Sequence, residues 1–170
     1  RERDLSCVKQ QPWYRLPSAT EEVSLDQSVE RFRELFLDSV RLRMRSDVRL
    51  GSCLSGGLDS SSIVAAMRAL SAESTIEVIT SCSTHKEFDE SSYADLVSRF
   101  TNSRSSKVFP DPDALIEIID SILWHQDEPF GSASIYAQWS VFEKARELEI
   151  PVMLDGQGAD ESHCGYNSFL

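Results

Sequence analysis

The sequence predicts an α/β fold, in which a parallel sheet carries helices on both faces. Short apolar, β-branched segments alternate along the chain with segments of helical periodicity. Two glycine-rich turns each follow one of the apolar segments. Alternation of strands and helices is typical of βαβ units, whose strands run parallel. Ligands of such sheets bind beyond the carboxyl ends of the strands, so we expect both turns to lie at one binding edge.

The first helix is predicted to begin after Ser24, where Gln27 completes a capping box. Its apolar positions recur at helical spacing: Val29, Phe32, Phe36 and Val40. The first strand is expected around Leu50, because Val48, Leu50 and Leu54 lead into a glycine turn. A helix-compatible run over residues 63–67 leads out of that turn.

The later elements follow the same alternation. Asp111 followed by Pro112 marks a helix start, with proline at the first helical position. In chain order we expect a strand over 76–82, a helix from about 91 to 100, a strand over 107–109, a helix from 112 that ends before Pro129, a helix over 135–146 and a strand over 150–154. Trp124 and Trp139 lie on two of these helices, where core filling is their expected role. His85 and His125 are assigned no functional role.

The first glycine turn has the chemistry of an anion site. Residues 54–62 read Leu-Ser-Gly-Gly-Leu-Asp-Ser-Ser-Ser and join the first strand to a helix. A helix start presents unpaired N–H groups and a partial positive charge, which suit a phosphate. Gly56 and Gly57 allow close backbone approach, and Ser55, Ser60 and Ser61 add hydroxyl donors. The structural alternative is a capped turn that is merely rich in glycine and serine.

Carboxylates in both turns indicate a magnesium ion. Asp59 would repel a bare phosphate, so it suits this turn only if it holds a metal that the phosphate shares. The second turn, residues 154–161, reads Leu-Asp-Gly-Gln-Gly-Ala-Asp-Glu and closes the last strand. Asp160 could then join Asp59 in binding Mg²⁺. A surface turn without a ligand is the alternative.

Composition excludes some classes of function. The net charge of −11 over 170 residues argues against nucleic-acid binding, for which a basic face is expected. No run is long and apolar enough to span a bilayer, so no membrane partner is expected. The four cysteines are far apart in the sequence, which fits a reducing, cytoplasmic location better than disulfides: Cys7, Cys53, Cys82 and Cys164. Zinc binding by the adjacent His163 and Cys164 is disfavoured, since neighbours in sequence seldom ligate one ion well.

Four ordered motifs resemble a known family. The Ser-Gly-Gly-Leu-Asp-Ser-Ser run at 55–61 resembles the pyrophosphate loop (PP-loop) of the ATP pyrophosphatases, which split ATP between the α and β phosphates. Three further motifs follow in order: Phe-Asp-Glu-Ser at 88–91, Asp-Glu-Pro-Phe at 127–130, and Gly-Gln-Gly-Ala-Asp-Glu at 156–161 followed by Gly165-Tyr166. The four motifs together are similar to the synthetase domain of glutamine-hydrolysing asparagine synthetases. That resemblance implies an adenine nucleotide alpha hydrolase-like (Rossmann-like) three-layer sandwich.

The resemblance also implies a domain organisation. Residues 1–22 would be a connector from a glutaminase domain of the same longer chain, and residues 23–170 an ATP-binding synthetase domain truncated at its C-terminus. Assembly into a homodimer stays open. Since the family's C-terminal helical part and an N-terminal cysteine nucleophile are missing from this sequence, we expect the isolated chain to bind ATP weakly and not to turn over.

The chemistry implied by the resemblance is amide synthesis. ATP activates the side-chain carboxylate of aspartate as β-aspartyl-AMP with release of pyrophosphate, and glutamine-derived ammonia then gives asparagine. The implied nucleotide-binding residues are Leu54, Ser55, Gly56, Gly57, Leu58, Asp59, Ser60, Ser61, Ser81, Asp155 and Gly156. Asp59 and Asp160 would bind Mg²⁺, and residues 132–134 would face the amino acid. The implied catalytic residues are Asp59, Glu128, Gln157 and Asp160.

One departure leaves alternatives open. Gln157 stands where many relatives have a glutamate that could take a proton from ammonia, and an amide is no base at neutral pH. Either Glu128 or Glu161 takes that role, or the acceptor differs. A β-lactam-synthetase-like cyclase and a catalytically silent nucleotide-binding module are therefore the alternative functions.

Overall fold

The computed structural model describes residues 11–15, 22–87 and 89–166. They form ten helices and strands, which in chain order are α1 (Leu25–Arg43), β1 (Leu50–Cys53), α2 (Leu58–Leu70), β2 (Glu77–Ser81), α3 (Ser91–Thr101), β3 (Arg104–Val108), α4 (Pro112–Gln126), α5 (Ser134–Glu147), β4 (Val152–Leu154) and α6 (Ala159–His163). The chain divides into two compact units, Arg1–Glu34 and Leu35–Leu170, and the sheet belongs entirely to the second. None of the helices described has the length and apolar character needed to cross a membrane.

The four strands form one sheet in the order β3-β2-β1-β4, and every pairing is parallel. The predicted fold class is therefore confirmed. The prediction for β3 was wrong at its start, because pairing with β2 begins at Arg104 and not at Lys107. The first residues of β3 are Arg104, Ser105 and Ser106, whose polar side chains lack an apolar strand pattern. An edge strand with one neighbour tolerates such side chains, so the apolar pattern of the sequence did not predict the first residues of β3.

Helices cover both faces of this sheet. Val78 on β2 packs in a cluster that includes Val64 of α2 and Ala94 of α3. Its neighbour Ile79 packs instead with Val141 and other residues of the α5 side. Successive strand residues point to opposite faces, so these two clusters lie on opposite sides of the sheet. The layers are thus helix, sheet, helix, as predicted.

Both predicted helix caps form. The Ser24 N–H donates to Gln27 Oε1 over 3.0 Å, and the Gln27 N–H donates to Ser24 Oγ over 3.3 Å, which completes the capping box. At α4, the Asp113 N–H donates to Asp111 Oδ1 over 3.0 Å, with proline in the first turn. The caps explain why the sequence located these two helix starts correctly.

The core role predicted for Trp124 was wrong. Trp124 is 79% exposed, whereas Ile122 on the same helix is fully buried. Two residues correspond to a rotation of about 200° around a helix, which places Trp124 opposite the buried stripe. Trp139 on α5 is half-buried and contacts the ring of His125 edge-on, with centroids 5.1 Å apart.

Arg68 ties together the ends of two helices. Its guanidinium donates to the carbonyls of Thr101 and Asn102, where α3 ends, over 2.6 and 3.1 Å. It also donates to three carbonyls in the segment after α2, those of Ser71, Ala72 and Ser74. Carbonyls at helix ends have no intrahelical donor, so one forked cation satisfies several of them at once.

Candidate functional site

The turn between β1 and α2 is held by its own serines. The Ser55 N–H donates to Ser60 Oγ over 3.2 Å, and the two serine hydroxyls lie 3.0 Å apart. The Gly57 N–H donates in turn to Ser55 Oγ over 3.1 Å. Leu54, just before the turn, is fully buried and donates its N–H to the Ile79 carbonyl over 3.0 Å. The loop is therefore shaped before any ligand binds, with the start of α2 as part of its surface.

Gly56 brings this turn against the start of α3. Its φ is +93°, in the left-handed region, and an added Cβ would lie 2.7 Å from both the Ala94 nitrogen and the Tyr93 Cβ. The α3 start is fixed by Asp89, which accepts the Ser91 N–H over 3.2 Å and the Ser91 hydroxyl over 2.9 Å. The Ser91 hydroxyl bond also lowers the pKa of Asp89. The Phe-Asp-Glu-Ser motif at 88–91 thus supports the first glycine turn. Its Phe88 lies outside the described residues.

The two glycine turns touch, as expected from the ends of adjacent strands. Residues Ser52 of β1 and Leu154 of β4 are paired, so the turns that follow emerge side by side. A Cβ added to Gly156 would lie 3.0 Å from the Asp59 Cβ and 3.2 Å from the Ser60 nitrogen. A side chain at position 156 would crowd the first turn, so the glycine favours this close approach of the two turns.

The two turns border a cavity of about 340 Å³ at the carboxyl ends of the strands. Nine of the predicted site residues line it: Leu54, Ser55, Asp59, Ser60, Ser81, Asp155, Gly156, Gln157 and Asp160. Gly56, Gly57, Leu58 and Ser61 belong to the first turn without lining the cavity, and Leu58 is 83% exposed. Glu128 lies exposed between α4 and α5 and does not line it either. Of the segment 132–134, Ser134 lines the cavity and bonds Ser132 through their hydroxyls over 2.9 Å.

Helix α5 contributes residues that the sequence interpretation missed. These are Ala137, Gln138 and Val141, which line the cavity together with the predicted Ser134. Their spacing of three and four residues places them on one helix face, which was the available signal. The Gln138 amide donates to Asp155 Oδ2 over 3.4 Å, at the margin of hydrogen-bond length. Helix α5 therefore forms one wall and reaches a residue of the second turn.

Asp155 and Cys53, which both line the cavity, interact with each other. Asp155 Oδ1 accepts the Gly156 N–H over 2.7 Å. Burial, and to a smaller extent the charge and hydrogen bond of Asp155, together raise the pKa of the Cys53 thiol to about 12. The thiol is consequently protonated at neutral pH and is not a nucleophile, which agrees with its predicted role as a small apolar residue.

The family model described as Asparagine synthase matches residues 31–170.

The chain belongs to the asparagine synthase family.

Curated relatives support that membership. The chain is 36% identical over 142 residues to the putative asparagine synthetase [glutamine-hydrolyzing] 2 of Methanocaldococcus jannaschii, covering 84% of this chain and 27% of that protein. It is 31% identical over 153 residues to asparagine synthetase [glutamine-hydrolyzing] 1 of Bacillus subtilis, covering 90% of this chain and 23% of that protein. The chain thus spans about a quarter of the length of these relatives. Among solved structures, an NH3-dependent NAD synthetase from Campylobacter jejuni aligns with 14% identity and a TM-score of 0.49 over 86% of this chain and 62% of that chain, which is too distant to support an inference.

The carboxylates of this asparagine synthase-family site fit a magnesium ion shared with phosphate. Asp59 and Asp160 both line the cavity. An added Cβ at Gly165 would lie 1.9 Å from Asp160 Oδ1, so the glycine makes room for that carboxylate. Among the residues described, no three or more histidine, cysteine, aspartate or glutamate side chains are grouped so that they could hold a metal ion by themselves. Magnesium commonly takes one or two carboxylates and completes its shell with substrate phosphates and water, so two suffice.

The second turn carries a further carboxylate at the cavity rim. Glu161 and Tyr166 both line the cavity, and the Tyr166 hydroxyl donates to Glu161 Oε1 over 2.8 Å. This bond raises the pKa of Tyr166, so the phenol keeps its proton at neutral pH. Gln157 lines the same space and offers only an amide.

Proposed function

We propose that this chain is the nucleotide-binding core of an ATP-dependent amide ligase. In the proposal, the side-chain carboxylate of aspartate is adenylated, pyrophosphate leaves, and ammonia attacks to give asparagine and AMP. The ammonia comes from glutamine in a glutaminase domain of the same longer chain, and a cytoplasmic location is part of the proposal. The relatives are named as glutamine-hydrolysing asparagine synthetases, which is the basis for this substrate set.

The single observation that carries the proposal is the shared cavity of the two glycine turns. One wall supplies a helix start, serine hydroxyls and the Asp59 carboxylate, and the other supplies the carboxylates of the second turn. A helix start favours anions because its first N–H groups are unpaired and its dipole is positive. A nucleotide triphosphate with a divalent cation needs both kinds of group within one space. The contact of Gly156 with Asp59 supports that arrangement.

Each part of the cavity has a place in the proposed reaction. Residues 55–61 hold the pyrophosphate, whose departure is mainly an electrostatic problem. Leu54, Ser81 and the Asp155-Gly156 pair frame the adenosine. Asp59 and Asp160 hold Mg²⁺, which when bound offsets the negative charge of the phosphates. Ser134, on the α5 wall, faces the amino-acid substrate.

The proposal is tested by the adenylation step in the full-length protein. With Mg·ATP and radiolabelled pyrophosphate, we expect exchange of label into ATP that depends on aspartate. Asp59→Asn should lower this exchange by about 10²–10³-fold, because it removes a carboxylate that would hold the Mg²⁺ that offsets the charge of the reacting phosphates. Asp120→Asn, the same change at an exposed position of α4, is the matched control and should leave exchange unchanged.

The results also separate the alternatives. Mass spectrometry of the products made from aspartate, glutamine and ATP should detect asparagine. Exchange that is supported by another acid, with a cyclised product, would favour the β-lactam-synthetase-like cyclase. A full-length protein that binds Mg·ATP and never releases pyrophosphate with any acid would be the silent nucleotide-binding module.

A further inference from the structure

We propose that Gln138, oriented by Asp155, selects the base of the nucleotide by accepting a hydrogen bond from the 6-amino group of adenine. The inference rests on the proposed function and deepens it, because it assigns a specificity-determining residue to the same cavity. Gln138 lies on α5, belongs to none of the four sequence motifs, and lines the cavity. It distinguishes ATP from nucleotides that carry an oxygen at the same ring position.

One part of the cavity wall is apolar and suits a nucleobase. Leu54 and Ile79 are almost fully buried near the ends of β1 and β2, and Val141 of α5 packs against Ile79. All three line the cavity together with Cys53, whose thiol is protonated at neutral pH. A flat aromatic base buries its faces favourably against such side chains. When the phosphates occupy the glycine turn at 55–61, this apolar part of the wall is left for the base.

Gln138 lies between the apolar wall and the second glycine turn. It follows Ser134 by four residues and precedes Val141 by three, so all three lie on the face of α5 that lines the cavity. Its side chain reaches Asp155, the first residue after β4, with the amide nitrogen 3.4 Å from Asp155 Oδ2. The amide therefore offers polar atoms to the edge of a base that rests on the apolar wall.

Asp155 fixes the direction in which this amide faces. An ionised carboxylate only accepts hydrogen bonds, so the nitrogen of Gln138 faces Asp155 and the oxygen faces away from it. Asp155 is itself held in place, because its Oδ1 accepts the Gly156 N–H over 2.7 Å and it also accepts a hydrogen bond from the Cys53 thiol. Gln138 Oε1 is consequently an acceptor of fixed direction, whereas an unrestrained amide could rotate and donate instead.

An acceptor of fixed direction separates two classes of purine. Adenine carries an amino group at ring position 6, which donates, whereas guanine and hypoxanthine carry a carbonyl oxygen there, which accepts. Gln138 Oε1 forms a hydrogen bond with the amino group, but it meets the carbonyl oxygen as a second acceptor and leaves both groups unpaired. A desolvated polar group without a partner is costly, so the site discriminates against the oxygen.

The other polar side chains near the apolar wall are weaker candidates. The hydroxyls of Ser81 and Ser134 donate as well as accept, so they can rotate to suit either kind of base. Asp155 is the main competitor, because a carboxylate also only accepts. Its two oxygens already accept from the Gly156 N–H and the Gln138 amide, and we therefore assign it the positioning role.

The test compares Mg·ATP with Mg·ITP on the full-length protein, since their bases differ only in the group at ring position 6 and in the proton on N1. Wild type should prefer ATP by about 10–10²-fold, both in the kcat/KM of aspartate-dependent pyrophosphate exchange and in affinity measured by calorimetry without amino acid. Gln138→Met keeps the length of the side chain and removes the amide, so the preference should narrow to about threefold or less. Gln126→Met, the same change at an exposed position of α4, is the matched control and should keep the wild-type preference.

Asp155→Asn tests the orientation of the amide separately. An asparagine side chain donates as well as accepts, so Gln138 can then turn its nitrogen toward the base and donate to the oxygen of ITP. ITP should therefore gain relative to ATP in this variant too. The preference is a ratio measured on one preparation, so a lower folded fraction cancels out of it. A purely structural role for Gln138 would weaken both nucleotides equally and leave the ratio unchanged.

The remaining outcomes are each decisive. An unchanged preference in Gln138→Met overturns the assignment, as does a preference that only Asp155→Asn abolishes or equal use of ATP and ITP by wild type. If no exchange depends on aspartate but the calorimetric preference narrows in Gln138→Met, the proposed amino-acid substrate is wrong and the base-selecting residue is supported. Absence of binding by both nucleotides refutes the proposed function itself, and the inference with it.

Discussion

Replacing Gly56 by alanine should destabilise the fold through two separable effects. The first is backbone strain, since φ is +93° and a Cβ disfavours that region by about 1–3 kcal/mol. The second is steric, since the new methyl would lie 2.7 Å from the backbone nitrogen of Ala94, which cannot rotate away. Overpacking of this kind costs about 1–3 kcal/mol. We therefore expect Gly56→Ala to lower the free energy of unfolding by about 2–6 kcal/mol, the sum of both ranges.

Two other glycines separate the backbone strain from the steric effect. Gly158 has a φ of +88° with no atom within 4 Å of an added Cβ, so Gly158→Ala should show the strain alone. Gly131 has neither feature, so Gly131→Ala should change the stability little. Urea unfolding monitored by circular dichroism measures all three variants at a constant m-value. Equal losses for Gly56→Ala and Gly158→Ala would refute the steric argument, and a Gly56→Ala variant as stable as Gly131→Ala would refute both terms.

Three more predictions concern other parts of the chain. Cys53 should resist alkylation by iodoacetamide at pH 8 while exposed Cys164 reacts, which peptide mass spectrometry can follow. Labelling of Cys53 at an equal rate would contradict its protonated, half-buried state. Because folding favours the neutral Cys53 thiol, its contribution to stability should be present below pH 9 and decline as the pH rises toward 12. Arg68→Lys should lower the free energy of unfolding by about 1–3 kcal/mol, because one ammonium cannot donate to all the carbonyls that the guanidinium contacts. Arg99→Lys, on an exposed face, is the control and should leave the stability unchanged in the same urea titration.

Much of the architecture could be predicted because several signals agreed. The capping residues Ser24 and Asp111 located helix starts, and short apolar runs located the two central strands, which are buried on both faces. Parallel order followed from the alternation of strands and helices. The meeting of the two glycine turns then followed from geometry, because the carboxyl ends of adjacent parallel strands lie at one edge.

What could not be predicted depends on neighbours that are distant in sequence. The polar residues at the start of β3 form a strand only because their backbone pairs with that of β2. Trp124 has a helical spacing that suits a core, yet it lies on the face of α4 opposite the buried Ile122 and is mostly exposed. Gln138 has no motif around it, and only the packing of α5 beside the second turn brings it to the cavity. Glu128 belongs to a motif, but that motif does not extend to the cavity wall.

The pairing of β1 with β4 has a consequence for biosynthesis. Gly51 is matched with Met153, and this contact spans most of the chain. As the polypeptide leaves the ribosome, β2 and β3 can join β1 early, but the other side of β1 stays open until residue 152 has emerged. During that interval one edge of β1 has no partner strand, and such an open edge is a template for misassociation. The second glycine turn is the last part of the cavity lining to emerge, so a shorter nascent chain has its serine-lined turn well before the cavity is complete.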